Sequence, residues 1–176
     1  MFATIYLPNF FLQAATRHQD LCSSVPIAVI EEQEKKPLII QLNQSAEHAG
    51  VRLGMAPSQG LARCLGLVIK TRSASNEAAL GNLVLQYCFS LSPYVEATAP
   101  GVWTIQFTRT SCLYQHVADV IDQLGKCDLT AHGGIGATPD LSFIAANLTE
   151  TVLQIDDAHA FLAPLPIDIL AIPFRG

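Results

Sequence analysis

The chain has 176 residues, half of them hydrophobic, with 10 basic and 15 acidic side chains and a formal net charge of −5. The length suits one domain, or one domain with a small insertion. The acidic balance argues against strong autonomous nucleic-acid binding, because no excess of cations is available to meet phosphates. No stretch approaches ~18 uninterrupted apolar residues, so no membrane span is expected. The N-terminus lacks a basic region and a small-residue cleavage site. The cysteines Cys22, Cys64, Cys88, Cys112 and Cys127 are odd in number and form no CxxC, which is the pattern of reduced, mostly buried thiols in a cytoplasmic protein.

In chain order, residues 2–7 read as a buried strand stopped by Pro8. Asn9 is a candidate N-cap for a helix through about His18. The apolar runs "PIAVIEE" and "KPLIIQL" flank a charged turn and predict a strand pair. A short helix around 44–49 ends at Gly50, and "PSQGLARCL" predicts another. Strand "LVIK" precedes a longer helix over 75–90, whose core face should be Leu80, Leu83, Val84, Tyr87 and Leu91. "PYVEATAPGVWTIQFT" predicts a hairpin turning at Ala99-Pro100-Gly101, with Trp103, Ile105 and Phe107 on one face. An amphipathic helix over 111–124 carries Leu113, Val117, Ile121 and Leu124 and closes at Gly125. "LTAHGGIGA" predicts a small-residue strand. Thr138-Pro139-Asp140 is a strong helix start, with Leu141, Ile144, Ala145 and Leu148 inward. "TVLQI" is a last strand, Asp156-Asp157 opens a short helix, and a proline-punctuated tail follows.

A mid-chain hairpin flanked by crossover helices predicts an α+β fold of ferredoxin-like, split βαβ type rather than a doubly wound sheet. The palm of a nucleotide polymerase has this architecture. Several motifs weigh little. "GGIG" at 133–136 lacks both GxGxxG and GK[ST]; its glycines are better read as letting strand and helix approach closely. Histidines 18, 48, 116, 132 and 159 have no zinc-ligand spacing, and His132 reads as a core histidine. Cys112 and His116 stand at i, i+4, a conceivable nucleophile pair without an acid to orient the base. Glu31-Glu32 and Asp156-Asp157 read as turn and cap acids.

The order of elements, together with "AGVRLGM" at 49–55, "GIGATPDLSFIAAN" at 134–147, the hairpin at 92–108 and "LPIDIL" at 165–170, resembles the N-terminal region of Y-family (translesion) DNA polymerases. The resemblance implies a palm at 1–21 and 71–165, a small mixed α/β fingers insertion at 22–70, and at 166–176 the start of a linker to a thumb. Family polymerases hold two Mg²⁺ between an aspartate ending the first strand and an Asp-Glu pair on the hairpin, because two adjacent dications need several carboxylates. Those positions fall on Leu7, Asn9, Gly101 and Val102, with Glu96 the nearest acid. The family's nucleotide contacts fall on Leu12 (beside Phe11), Gln44, Glu47 and Glu150, with acids replacing cations at Glu47 and Glu150.

This pattern of vacated positions is similar to the catalytically inactive ImuB-type subfamily. The resemblance therefore implies no metal, no cofactor, no enzyme activity, and a scaffold role in bacterial DNA damage tolerance and SOS mutagenesis. Its implied partners are the sliding clamp, a RecA-like accessory protein and an error-prone C-family polymerase, reached through regions C-terminal to the palm. The exposed faces of the two long helices are further candidate contact surfaces. Two other readings stand open: an active Y-family polymerase fragment with misaligned acids, and an unrelated ferredoxin-like ligand-binding or thiol-enzyme domain.

Overall fold

The computed structural model describes residues 1–17, 19, 24–31, 36–108 and 111–166. The expected linker beyond Pro166, Cys22, His18 and the turn at 32–35 lie outside the described residues. The chain divides into two compact units, Met1–Pro8 with Gly81–Gly176, and Asn9–Leu80.

The first unit is built on a five-stranded sheet in the order β5-β6-β1-β7-β8. Its strands are β1 (Phe2–Tyr6), β5 (Val95–Ala99), β6 (Val102–Gln106), β7 (His132–Gly136) and β8 (Val152–Gln154). Central β1 runs antiparallel to both neighbours, pairing Ile5 with Trp103 on one side and with Gly133 on the other. β5 and β6 form the expected hairpin, turning through Gly101 at φ 77, a value that favours glycine. β8 extends the sheet in parallel beside β7. With β6 lodged between β5 and β1, this is the split βαβ arrangement expected from the sequence.

Helices cover both faces of the sheet. Side chains alternate across a strand, so Ala3, Ile5, Trp103 and Ile105 share one face. There a Cβ on Gly133 would meet Val117 and Ile121 of α5 (Leu113–Gly125), and one on Gly81 of α4 (Ala74–Leu91) would meet Trp103. The other face carries Thr4, Gly134 and Gly136 and receives α6 (Pro139–Asn147). There the hydroxyls of Thr4 and Ser142, both fully buried, share a hydrogen bond of 2.8 Å. α6 starts as predicted, with the Thr138 hydroxyl accepting from Leu141 N–H and Pro139 in the first turn. Asp157 likewise caps α7 (Ala158–Leu162), accepting from the N–H groups of His159 and Ala160. α7 packs through Phe161 and Ala158 on the small cluster of Leu141, Ala145 and Ile155.

The second unit holds a three-stranded sheet ordered β3-β2-β4, formed by β2 (Ile27–Ile30), β3 (Ile39–Leu42) and β4 (Val68–Thr71). β2 and β3 pair antiparallel as predicted, and β4 joins β2 in parallel. α1 (Phe10–Thr16), α2 (Gln44–His48) and α3 (Pro57–Arg63) complete it around a core of Ala28, Ile39, Ala46, Val51 and Leu67. Asn43 ties this unit together: its side-chain oxygen accepts from Ile27 N–H and Ala46 N–H, and its amide donates to the Val25 carbonyl.

Local expectations change in part. In α4, Leu80 and Val84 are fully buried as expected and Cys88 joins them, whereas Leu83, Tyr87 and Leu91 are only partly buried. Of the two adjacent rows the sequence offered, the i, i+4, i+8 row from Leu80 is the one that meets the core. In α5, Val120 is buried where Ile121 is only partly so. Gly125 ends α5 as expected but is not its left-handed residue; Asp128, at φ 58, takes that conformation three residues on. Asn9 precedes α1 as expected, but at φ 51 and without capping through its side chain.

Candidate active site at the end of the first strand

β1 delivers the chain to the hairpin turn. Tyr6 pairs with Val102, and one residue later the Leu7 N–H donates to the Gly101 carbonyl at 2.8 Å. The structure thus brings Leu7, Gly101 and Val102 together at one corner of the sheet. The corner is dry and apolar: Leu7 is 1% exposed, Val102 3% exposed, and Gly101 is buried. Asn9 is exposed at the start of α1 and belongs to the other compact unit.

The side chains at this corner do not share one face. Glu96 pairs with Thr104, which pairs with Thr4, so it lies exposed on the α6 face. The side chain of Val102 takes that same face, while Leu7 follows the alternation of Ile5 onto the opposite one. Two divalent ions need several converging oxygen anions. Two buried aliphatic side chains and a glycine supply none, so the metal pair that the fold implies does not fit this corner. Among the described residues no group of three or more His, Cys, Asp or Glu side chains is placed to hold a metal ion.

The nucleotide-contact candidates divide between the units. Leu12, Gln44 and Glu47 lie in the Asn9–Leu80 unit, and Glu150 lies in the other. Leu12 is buried, and its N–H donates to the buried Gln41 side-chain oxygen at 2.9 Å. Gln44 and Glu47 are exposed on α2. Arg52 donates to the Glu47 and Val51 carbonyls at 2.7 and 2.9 Å, so this guanidinium serves the backbone after α2. Glu150 is exposed beyond the end of α6.

One arrangement in the second unit has no counterpart in the sequence reading. Arg72, just after β4, lies 3.8 Å above the centre of the Phe11 ring. Its fork pairs with both oxygens of Glu77, at 3.0 and 2.8 Å, and with Glu31 at 3.1 Å. The hydrogen bonds and charge of Glu77 raise its already high pKa. Both cations can sit over a ring, but planar stacking together with bidentate pairing is open to a guanidinium and not to an ammonium. Phe11 and Glu31 are far from Arg72 in sequence, so no local motif announces the whole cluster.

Near the candidate corner, the rings of Tyr6 and His132 meet edge to face at 6.0 Å, and Tyr6 meets Phe143 at 6.3 Å. The His132 Nδ1 is buried without a partner. Burial pushes the imidazole pKa below its usual value, against opposing effects of the Ala146 backbone and Glu150. Cys112 is exposed at the left-handed residue before α5, and His116 bonds it only through the backbone, N–H to carbonyl at 3.1 Å. No helix among the described residues is long and apolar enough to cross a membrane.

Three solved structures place the fold. The chain superposes on an insertion ternary complex of Dbh DNA polymerase with a TM-score of 0.83 at 16% identity, covering 99% of this chain and 54% of that one. A post-insertion binary complex of the same polymerase gives 0.85 at 16%, covering 96% and 52%. DinB from Sulfolobus solfataricus gives 0.75 at 16%, covering 96% and 52%. The chain spans about half the length of these polymerases. No curated protein matches it in sequence. The fold is that of a Y-family polymerase palm with its mixed insertion. The expectation that the chain is not an enzyme is overturned, because the proteins it superposes on are DNA polymerases. The model of the impB/mucB/samB family matches residues 5–147, most of the chain, and this protein belongs to that family.

Proposed function

We propose that the chain is the palm-and-fingers part of a translesion-type, Y-family polymerase protein in bacterial DNA damage tolerance and SOS mutagenesis, related to the ImuB type. In this reading it works inside an assembly with a sliding clamp, a RecA-like accessory protein and an error-prone C-family polymerase. The observation that carries it is the complete split βαβ palm, ending in an apolar corner where Leu7 and Gly101 are joined backbone to backbone. The net charge of −5 supports reliance on partners for a firm grip on DNA.

The test is damage-induced mutagenesis in a strain lacking the gene. The full-length gene should restore mutagenesis, and a version lacking the region of this chain should not. The full-length protein should also co-purify with the clamp after ultraviolet treatment. Full rescue by the deleted version would refute the reading. The family and fold also support a second reading, templated synthesis by the whole protein. Primer extension by the full-length protein tests it, and extension would require carboxylates from outside the Leu7 corner.

A further inference from the structure

Three side chains expected in the core instead line an open groove. Leu83, Tyr87 and Leu91 of α4 are partly buried and, with Val120 of α5, form the floor of a groove of about 680 Å³ between the two helices. Asp119 and His116 stand on its α5 rim. The apolar row repeats at i, i+4, i+8, so it runs about 12 Å along α4, two helical turns. That is the span of two or three anchors on one amphipathic helix.

The charge of the frame is one-sided. α4 and α5 contain no Lys or Arg, and their acids are Glu77, Asp119 and Asp122. Glu77 is neutralised by Arg72, and among the described residues the ion pairs found are those of Arg72. Asp119 accepts a neutral amide hydrogen bond from Gln115 at 2.9 Å and has no ion pair among the described residues. Its carboxylate therefore offers a negative charge at the lip of a groove whose apolar floor is edged by the neutral polar side chains of Gln86, Ser90 and Gln123.

We propose that this groove docks one amphipathic helix of a protein partner, with Leu, Ile or Phe anchors at i, i+4 and i+7 and a Lys or Arg flank facing Asp119. The apolar anchors would cover Leu83, Tyr87, Leu91 and Val120, and the cation would meet Asp119. The proposal deepens the assembly reading above, since it gives that assembly a contact on this chain.

A displayed library of helix-forming 16-residue peptides, selected on the wild-type chain alone and then measured against both variants, tests it without prior choice of partner. Enriched peptides should carry the apolar i, i+4, i+7 row with a basic flank. Asp119→Lys and Leu83→Gln should each weaken them at least about tenfold, with circular dichroism unchanged. Amide shifts on adding an enriched peptide should centre on α4 and α5. No enrichment, enrichment indifferent to both variants, or shifts elsewhere would overturn the groove. A clamp or polymerase captured equally by wild type and both variants would also overturn it while leaving the assembly standing. If neither is captured but basic-flank peptides still select the groove, the assembly reading fails and the docking site holds.

Discussion

Replacing Gly134 by alanine puts the contact between α6 and the sheet to a quantitative test. A Cβ at Gly134 would strike the Ser142 carbonyl oxygen and the Ala146 backbone nitrogen, with Ala145 Cβ at 3.0 Å. These are helix backbone atoms and cannot rotate away, so α6 must retreat by on the order of 1 Å. A gap of that size forfeits about a quarter to a half of each dispersion contact along the seam, which includes buried Leu141, Ile144, Ala145 and Ala146. Overpacking of this kind costs about 1–3 kcal/mol. Stretching the buried Thr4–Ser142 hydrogen bond adds about 1 kcal/mol. The expected loss is therefore about 3 kcal/mol, read as a lower urea midpoint with unchanged slope. Gly125→Ala is the control. Gly125 sits at the end of α5 with nothing within 4 Å of its Cβ position, and it has no left-handed φ. It should gain about 0.5–1 kcal/mol from the smaller unfolded-state entropy. A Gly134→Ala protein within about 0.5 kcal/mol of its parent, the precision needed to separate it from surface changes, would refute the packing argument.

Arg72→Lys retains the charge but loses the fork and the stacking on Phe11, and should cost about 1–2 kcal/mol in urea unfolding. Burial pushes the Cys88 thiol up to about 12, well above its value in the unfolded chain. The folded state then holds the proton longer, so Cys88 lowers stability as pH rises from about 8.5 towards 12. Cys88→Ala should flatten that limb, and native alkylation at pH 8 should label exposed Cys112 before Cys88. His132 has the opposite sense: its folded pKa lies below its usual value. The unfolded chain takes up the proton first, so stability falls as pH drops below about 6.5. His132→Gln should remove that part of the slope.

Local chemistry carried much of the fold in plain sight. Thr138-Pro139-Asp140 and Asp157 announced helix starts that the structure shows, and Pro100-Gly101 announced the hairpin turn. The glycines of "GGIG" were legible as packing residues, and Gly134 is where the helix backbone comes closest. What stayed hidden depended on partners distant in sequence. Leu80, Leu83, Val84, Tyr87, Cys88 and Leu91 make one broad apolar face, and only α5 and the sheet decide which row is covered. Arg72 draws Phe11, Glu31 and Glu77 from three segments, so no window contains the cluster. At the candidate site, the meeting of Leu7 with the hairpin turn followed from the resemblance. The opposite facing of Glu96 needed the strand register.

The position of β1 has a consequence for biosynthesis. This strand is made well before its hydrogen-bonding neighbours, which begin at Val102 and His132. On the ribosome, the segment "FATIYL" must remain unpaired on both edges while roughly a hundred further residues are translated, several seconds at ordinary elongation rates. Residues 9–80 can meanwhile collapse around their own sheet. β1 thus waits long after its synthesis to find its place, and during that delay it is a natural client for a chaperone.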